Sequence, residues 1–573
     1  MVPSAKIWKL RPSSPGASQL AHETGLTSLQ AQLLINRGIS DPADAESFLY
    51  PRLANMADPL VLKGMGDAVL AILKAIEERE VITVYGDYDA DGLTATALLL
   101  NFFSDIGVAA SAYIPSRLKE GYGLNEEAVR KIVNNGTGLI ITVDCGISNV
   151  EEIVLARSLG TEVVVTDHHQ VPKGFQAVFP VINPHQPGCA FPFKDLAGVG
   201  LSFFLAVSLR AALRERGWFD RRPAPDLKEY LDLVALGSVA DRVPLRGQNR
   251  ILVRGGIGMM TKSRWEGIKA LKEIAGVVGK EITIDDLAFR LAPRLNAAGR
   301  MGDPETGLQL LTVEDPAMAE KLATELDEAN TQRQRLERQI FNEIEELIRT
   351  SMEPVDSRTL VMAGEGWHRG VLGIVASRLV ERYHRPSLVI SIGDGLAVGS
   401  GRSIDSFNLY NALSQFGHLF ERFGGHSHAA GFTLEADRVK MLKGELEALA
   451  TKTLSHGDLI PTIYVDAEIP LTEITPQMVQ QIRALAPFGE GNPEPTFLGR
   501  SLKALESRMV GEDHLRLKVR QEGRALEAIG FGLAGRHSLE GRTINMVFTP
   551  ELNRWEGYDR IQLRIIDLEL ATD

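Results

Sequence analysis

The stretch VITVYGDYDADG, Val81–Gly92, decides the fold: a β-branched run ends in a Gly/Asp-rich loop and leads directly into the helical LTATALLLNFFSDIG, residues 93–107. A short apolar strand followed by a helix is the building unit of a parallel sheet. The pattern repeats in ASAYIP (110–115), GLIITVDCGIS (138–148), EVVVTDHH (162–169) and AVFPVINP (177–184), with SNVEEIVLARSLG (148–160) as an intervening helix. These runs predict a doubly wound α/β core. In such sheets the active site lies at the carboxyl ends of the strands.

Working outward, residues 1 to about 75 look helical, broken at SDPADAESF (40–48) and LYPRLANMADPL (49–60), and are expected to form a helical preface. Residues 76–310 are assigned to the sheet domain. From Ala317 to Thr350 the chain runs 34 residues without Gly or Pro, with apolar residues every three or four positions from Met318 to Leu347. Such a helix would be about 50 Å long, more a solvated strut (within 311–353) than a core element. A second α/β region (354–455) carries strand-like TLVMA, SLVIS and LAVGSG with helical GVLGIVASRLVERYH and NLYNALSQFG. From 456 to 573 five or so short strands suggest a small barrel, of which the OB-fold is one plausible kind.

Composition narrows the function. The chain has 573 residues, 44% hydrophobic and 24% charged, enough for several packed cores. With 62 basic and 74 acidic residues its net charge is −12, which argues against a surface that is basic throughout but leaves room for a local basic groove. Residues 242–300 provide one, with twelve Lys/Arg and five Asp/Glu: net +7, against −19 for the remainder. Cys145 and Cys189 are too few for a disulfide framework or a four-thiolate zinc site, and packing roles suit both. No run approaches a membrane span and the N-terminus lacks a signal-peptide core, so a cytoplasmic protein is expected.

The chemistry sits where apolar runs end: Asp87, Asp89 and Asp91 in the first loop, Asp144 in TVDCG, Asp167 with His168 and His169 in VTDHH, and Asp241 in LGSVADRVP. Read as successive strand ends, these residues should converge on one edge of the sheet. Converging carboxylates repel unless neutralised, and two divalent cations would neutralise them. A carboxylate and imidazole set without thiolate suits Mn²⁺ best, with Mg²⁺ as the alternative. The chemistry indicated is phosphoester hydrolysis.

The series DYDADG, TVDCG, TDHH and ALGSVAD resembles the DHH phosphoesterase superfamily. More narrowly, LAPRLNAAGR, GWHRGVLGIVASRL, GSGRS and FGGHSHAAG resemble the RecJ family of single-stranded-DNA-specific exonucleases, whose layout adds DHHA1 and OB-like domains. Eight motifs in order, from about residue 80 to the C-terminus, carry the resemblance. It implies hydrolysis of single-stranded DNA from 5′ to 3′, to mononucleotides, in recombination and repair. By motif, Asp87, Asp89, Asp144, His168 and Asp241 would be metal ligands, with Asp144 bridging; His169 would be the catalytic histidine and Asp167 its orienting partner. For Asp91 a metal-loop role and N-capping of the helix that follows are equally open.

The same resemblance implies a terminal-phosphate pocket from Arg300, Ser400 and Arg402, with Gly424, Gly425 and His426 lining the cleft and Arg117 guiding the strand. On the barrel, Arg508, Arg516, Lys518 and Arg520 are the expected DNA contacts. A helicase and a single-strand-binding protein are the implied partners, with no membrane association and action as a monomer. Two alternatives stand beside this reading: a DHH phosphoesterase acting on short oligonucleotides or cyclic dinucleotides, and a non-catalytic DNA-binding scaffold.

Overall fold

The computed structural model describes residues 6–117, 119–350, 357–511, 513–536, 538–555 and 558–571. The chain folds into two compact units. One combines the chain up to Tyr50 with Arg382–His384 and the chain from Thr451; the other comprises Pro51–Glu381 and Arg385–Ala450. The expected single helical preface is therefore divided. Strand β1 (Ile7–Leu10) precedes helices α1 (Gly16–Thr24), α2 (Ser28–Ile35) and α3 (Pro42–Leu49). Thr27 and Gln30 close a capping box on α2, and Asp41 caps α3 just ahead of Pro42. Leu20, Leu33, Leu34 and Phe48 bury themselves in the core of the C-terminal segment, whereas α4 (Met65–Glu78) packs into the other unit. Helical periodicity shows that a face is apolar but not which core it meets.

In the larger unit, β2 (Val81–Tyr85), β3 (Ala110–Tyr113), β4 (Thr137–Val143), β5 (Glu162–Thr166) and β6 (Val181–Ile182) form an all-parallel sheet in the order β3-β2-β4-β5-β6. Helices α5 (Ala90–Asp105), α6 (Glu126–Asn134), α7 (Val150–Ser158) and α8 (Gly198–Glu215) join and cover these strands. The strand order reverses at β2, so the crevice expected in such sheets opens at the carboxyl ends of β2 and β4. Both are buried on two faces, which is why they read as unbroken β-branched runs.

Helices α9 (Leu231–Ala240), α10 (Gly247–Met260), α11 (Glu266–Ile274), α12 (Ile284–Asp286), α13 (Ala292–Met301) and α14 (Glu305–Thr312) complete this core. The long helix is α15 (Pro316–Thr350), and the last residues of the expected strut, 351–353, lie outside the described residues. It is more than a strut. Ala319, Leu322, Ala323 and Leu326 belong to the main core, while Met318 and Leu347, at the ends of the predicted stripe, are half-exposed.

Beyond α15 follow β7 (Leu360–Glu365), α16 (Leu372–Tyr383), β8 (Ser387–Gly393), β9 (Leu396–Arg402), α17 (Leu409–Ser414), β10 (Phe420–His426), β11 (Ala429–Glu435) and α18 (Val439–Thr453), in the same unit but for the last residues of α16 and α18. The strand order is β10-β11-β9-β8-β7, with only β7 and β8 parallel. The segment FGGHSHAAG is a hairpin, its glycines and alanines paired across β10 and β11.

In the smaller unit β12 (Thr462–Val465) pairs parallel with β1, and β13 (Ala467–Glu468) with β14 (Phe497–Val510). Helix α19 (Pro476–Arg483) precedes β14, which is followed by β15 (His514–Gln521), β16 (Arg524–Gly530), β17 (Thr543–Trp555) and β18 (Tyr558–Leu570). Strand β14 pairs with both β15 and β17, closing five strands into a barrel, and irregularities on either side of Lys503 let the one strand turn the corner.

Candidate active site

Strand β2 ends at Tyr85, and the chain turns through Gly86 into the acidic loop. Asp89 is the N-cap of α5, its Oδ1 accepting from Asp91 N at 3.0 Å and Gly92 N at 3.2 Å. Asp91 therefore does not cap its own helix. It is buried inside the first turn and receives the first amides of α8, Gly198 N at 2.6 Å and Val199 N at 2.9 Å. Asp87 is almost fully buried beside them.

Asp144 follows β4 with φ of 61°, a left-handed conformation unfavourable for a residue with a side chain. Its amide donates to Thr166 O on β5 at 3.0 Å. A Cβ on Gly198 would fall 2.7 Å from Asp144 Cβ, so glycine is required for α8 to start against this carboxylate. Asp241 corrects the expectation that every informative Asp ends a strand: it is the C-cap of α9, not a strand residue. The uninterrupted apolar run LDLVALGSVA has no period that separates a buried strand from a buried helix.

The side chains converge. Ligand atoms of Asp144, His168 and His169, of Asp91, His168 and Asp241, and of Asp87, Asp89 and Asp144 form three groups, each mutually within 4.8 Å. Asp144 and His168 each belong to two groups. His168 Nε2 lies 3.0 Å from Asp144 Oδ1 and 3.6 Å from Asp241 Oδ2, yet His168 Nε2, Asp144 Oδ1 and Asp87 Oδ1 are buried without a hydrogen-bond partner. Adjacent ligands of one octahedral ion also sit about 3 Å apart, without hydrogen-bond alignment. The orphaned oxygens and imidazole nitrogen therefore suit a divalent cation.

Protonation follows the crowding. Burial, then Asp89, pushes the Asp87 carboxyl up; burial, then Asp91 and Asp89, does the same to Asp144. Burial and Asp91 raise Asp241 to about 7. For His168 the burial that would lower its pKa is outweighed by Asp241, Asp91 and Asp167. His169 rises to about 9 against its own burial, chiefly through the hydrogen bond to Asp167. That bond, Nδ1 to Asp167 Oδ1, is 2.8 Å, and Asp167 Oδ2 accepts from Ile147 N at 2.8 Å. Asp167 is thus spent on orienting His169, which leaves Nε2 as the free ring nitrogen.

A cavity of about 660 Å³ opens over this edge, lined by Asp167, His168, His169 and Asp241 from the parallel-sheet side and by Gly425 and His426 from β10. Gly424, one residue earlier, is exposed and outside the lining residues. Beside the acidic loop lies a second cluster. Arg117 stacks over the Tyr88 ring at 5.3 Å, and Gly299 packs α13 so closely on Tyr88 that a Cβ would fall 2.7 Å from its carbonyl oxygen. Arg300, the next residue, donates to Gly370 O at 3.2 Å. Arg402 donates to Ser400 Oγ at 3.3 Å and Gly401 O at 2.8 Å. Burial, followed by the charges of Arg117 and Arg333, brings Arg300 down to about 9, and Arg402 is lowered by burial and Arg117. Cations that depress one another call for an anion.

The net +7 of residues 242–300 does not form one wall. Lys280 and Arg290 both lie against Asp286, Arg294 pairs with Asp327, Arg264 with Asp105 and Glu229, and Lys272 is buried on Met260 O. A segment's summed charge carries no direction, and within this one it is Arg300 that joins the cluster beside the acidic loop. On the barrel, Arg516, Lys518 and Arg520 alternate with buried Leu515, Leu517 and Val519 on β15, with Arg508 opposite Arg516. They share the outer face, but Arg516 pairs with Glu527 and Lys518 with Glu506.

Two contributors escaped the sequence reading. Asn296, inside LAPRLNAAGR, accepts from Ala90 N at 2.8 Å and ties α13 to the acidic loop. Tyr122 reaches His169; its only signal was the Gly-Tyr-Gly of the loop that carries Arg117.

A parallel sheet whose strand ends gather buried carboxylates and an Asp-His-His triplet, facing a second α/β layer across a cleft, defines a phosphoesterase of the DHH class. Family models match accordingly: the DHH family N-terminal domain over residues 81–238, the DHHA1 domain over 356–452 and the RecJ OB domain over 465–567. The chain is 38% identical over 578 residues to the single-stranded-DNA-specific exonuclease RecJ of Bacillus subtilis, covering all of this chain and 72% of the relative. Crystal structures of Thermus thermophilus RecJ with Mn²⁺ and with Mg²⁺ superpose with TM-scores of 0.85 and 0.79 at 30% and 29% identity, covering 99% of this chain and 80% and 79% of those. The chain belongs to the RecJ family.

Proposed function

We propose that this protein is a metal-dependent exonuclease that degrades single-stranded DNA from its 5′ end to mononucleotides, in recombination and repair. The observation that carries this reading is the pairing of two unbalanced clusters in one unit: carboxylates with orphaned oxygens, and arginines whose charges depress one another. A phosphodiester chain with a terminal phosphate complements both.

Asp87, Asp89, Asp144, His168 and Asp241 are positioned to hold two divalent cations, Mn²⁺ or alternatively Mg²⁺. Asp144 and His168 each belong to two of the groups, and of the two Asp144, a carboxylate with two oxygens, would be the ligand shared between the cations. Asp91, buried at the same place, steadies the start of α8 and adds negative charge. Bound cations supply electrostatic activation of a water and of the phosphoryl oxygen. His169, held through Nδ1 by Asp167, presents Nε2 as a proton donor to the scissile phosphate or the leaving oxygen. Arg300 and Arg402, with Ser400 beside them, grip the terminal phosphate, and Arg117 guides the strand. Gly425 and His426 close the cleft from β10, with the exposed Gly424 just outside.

A cleft narrower than a duplex would account for the single-strand requirement, and digestion of blunt duplex as fast as single strand would overturn it. On the outer face of the barrel, Arg508, Arg516, Lys518 and Arg520 offer further contacts to a single strand. An enzyme of this kind needs a helicase to open duplex and a single-strand-binding protein to keep it open; it acts as a monomer in the cytoplasm. Among the described residues no helix is long and apolar enough to cross a membrane.

The test is digestion of a long 5′-phosphorylated single strand, labelled at either end, with and without Mn²⁺. The expected result is prompt release of a labelled mononucleotide from the 5′ end alone, dependent on the cation. Release from the 3′ end first, or hydrolysis without a divalent cation, overturns the reading. Activity confined to very short oligonucleotides would favour the narrower phosphoesterase, and binding without hydrolysis the scaffold.

A further inference from the structure

The Tyr122 hydroxyl touches two members of the catalytic edge. Its oxygen lies 3.0 Å from His169 Nδ1 and 3.1 Å from the backbone carbonyl of Asp144, and the two rings meet edge-on at 5.5 Å between centroids. The proton inventory resolves the direction of each bond. The Asp144 carbonyl can only accept, so the phenol donates there and turns a lone pair to His169. Nδ1 then carries the proton that both Asp167 Oδ1 and the Tyr122 oxygen accept. Two acceptors on the Nδ1–H hold the imidazole in a single rotation.

The second bond acts on the backbone. Asp144 holds a left-handed φ of 61°, and such a conformation persists only where surrounding bonds over-determine it. The amide of Asp144 is held by Thr166 O, and the carbonyl by Tyr122.

The seat of Tyr122 is itself rigid. Gly121 and Gly123 flank it with φ of 86° and 83°, a double left-handed turn suited to glycine. Tyr85, buried in β2, donates its hydroxyl to Gly123 O at 3.0 Å. Asn149 brackets Leu124, accepting from its amide at 3.2 Å and donating to its carbonyl at 3.0 Å. Tyr122 nonetheless keeps 48% of its surface in solvent, so it contributes little to the core.

We infer that the Tyr122 hydroxyl is a positioning group: it locks the His169 imidazole and, through the Asp144 backbone, the shared metal ligand, so that one phenol aligns proton donor and cation site. This rests on the reading of the site given above. The experiment is Tyr122→Phe in the full-length protein, which removes the oxygen and keeps the ring. The expected result is a kcat lower by about 10- to 100-fold with KM for single-stranded DNA almost unchanged, and Mn²⁺ binding, measured directly by titration without DNA, weaker by about tenfold. In a His169→Ala background at saturating Mn²⁺ the same substitution should cost kcat little more, because the His169 arm is already lost, while the weaker Mn²⁺ binding through the Asp144 backbone should persist.

Unchanged kcat and Mn²⁺ affinity overturn the inference. So does the same kcat penalty with and without His169, or a fall in melting temperature of more than about 4 °C that alone accounts for lost activity, the mark of a purely structural residue. Full activity of the His169→Ala protein itself would instead remove the site reading beneath it.

Discussion

The carboxylate edge and the arginine cluster are opposite cases of one condition. At the edge, Asp87, Asp144 and Asp241 are driven towards their protonated forms by burial and by the neighbouring Asp89 and Asp91; in the cluster, Arg300 and Arg402 are driven down by burial and neighbouring cations. The barrel supplies the contrast, because Arg516 and Lys518 each have a carboxylate across the strand. Charge balanced within the protein reads as structure, whereas charge left unbalanced and buried reads as a place for a ligand of opposite sign.

The sharpest way to break this comparison is at its acidic side. Asp144→Ala should lower hydrolysis of a 5′-phosphorylated single strand by at least about 10²-fold, the cost of one preorganised electrostatic group, while strand retention on a filter stays measurable. Unimpaired hydrolysis would remove Asp144 from the site. On the basic side, Arg300→Met or Arg402→Met should reduce kcat/KM on 5′-phosphorylated strands by about 10- to 100-fold, as charged hydrogen bonds to an anion are lost. On 5′-hydroxyl strands the loss should be small. Because each substitution also relieves like-charge repulsion, the melting temperature of the free protein should hold or rise; a marked fall would mean that the arginines are structurally paired after all.

The smallest effect concerns pH. A carboxyl whose pKa is raised in the folded state holds a proton that the unfolded chain gives up, so its stabilisation is present at low pH and lost as pH climbs. Metal-free protein should therefore lose stability between about pH 4 and the Asp241 value of about 7. Mn²⁺ should then raise the melting temperature more at pH 8 than at pH 6, since at the lower pH it must displace protons. Calorimetry in chelator against Mn²⁺ across this range checks the sign, and an equal gain at both values would show that the carboxylates are not crowded.

Much of this was legible from the chain alone. Strand-loop-helix repeats gave the parallel sheet, and the acidic loop and Asp-His-His triplet marked its active edge. What escaped has physical reasons. The run before Asp241 is apolar on every face, so nothing in it distinguishes helix from strand. Asp89 and Asp91 are two residues apart in one loop, and only the geometry assigns the cap of α5 to the first and the start of α8 to the second. The basic stretch 242–300 lost its apparent meaning because its partners, Asp105, Glu229 and Asp327, lie outside it in sequence. Tyr122 was hidden for the same reason, since its partners are reached only through the fold.

Helix α15 sets a mechanical condition on the enzyme. Its first half is embedded in the parallel-sheet core through Leu322 and Leu326; its second half grips the other lobe, where Trp367 donates to Glu343 at 2.8 Å and Arg378 sits 4.1 Å over the Phe341 ring. One uninterrupted helix therefore acts as a keyed shaft between the lobe that carries the metal ligands and the lobe that carries Ser400 and Arg402. Each residue inserted or deleted between Leu326 and Glu337 would twist one end by about 100° and shift it by about 1.5 Å relative to the other. The spacing of the two half-sites is thus quantised in helical steps, and the length of this segment has almost no room to drift.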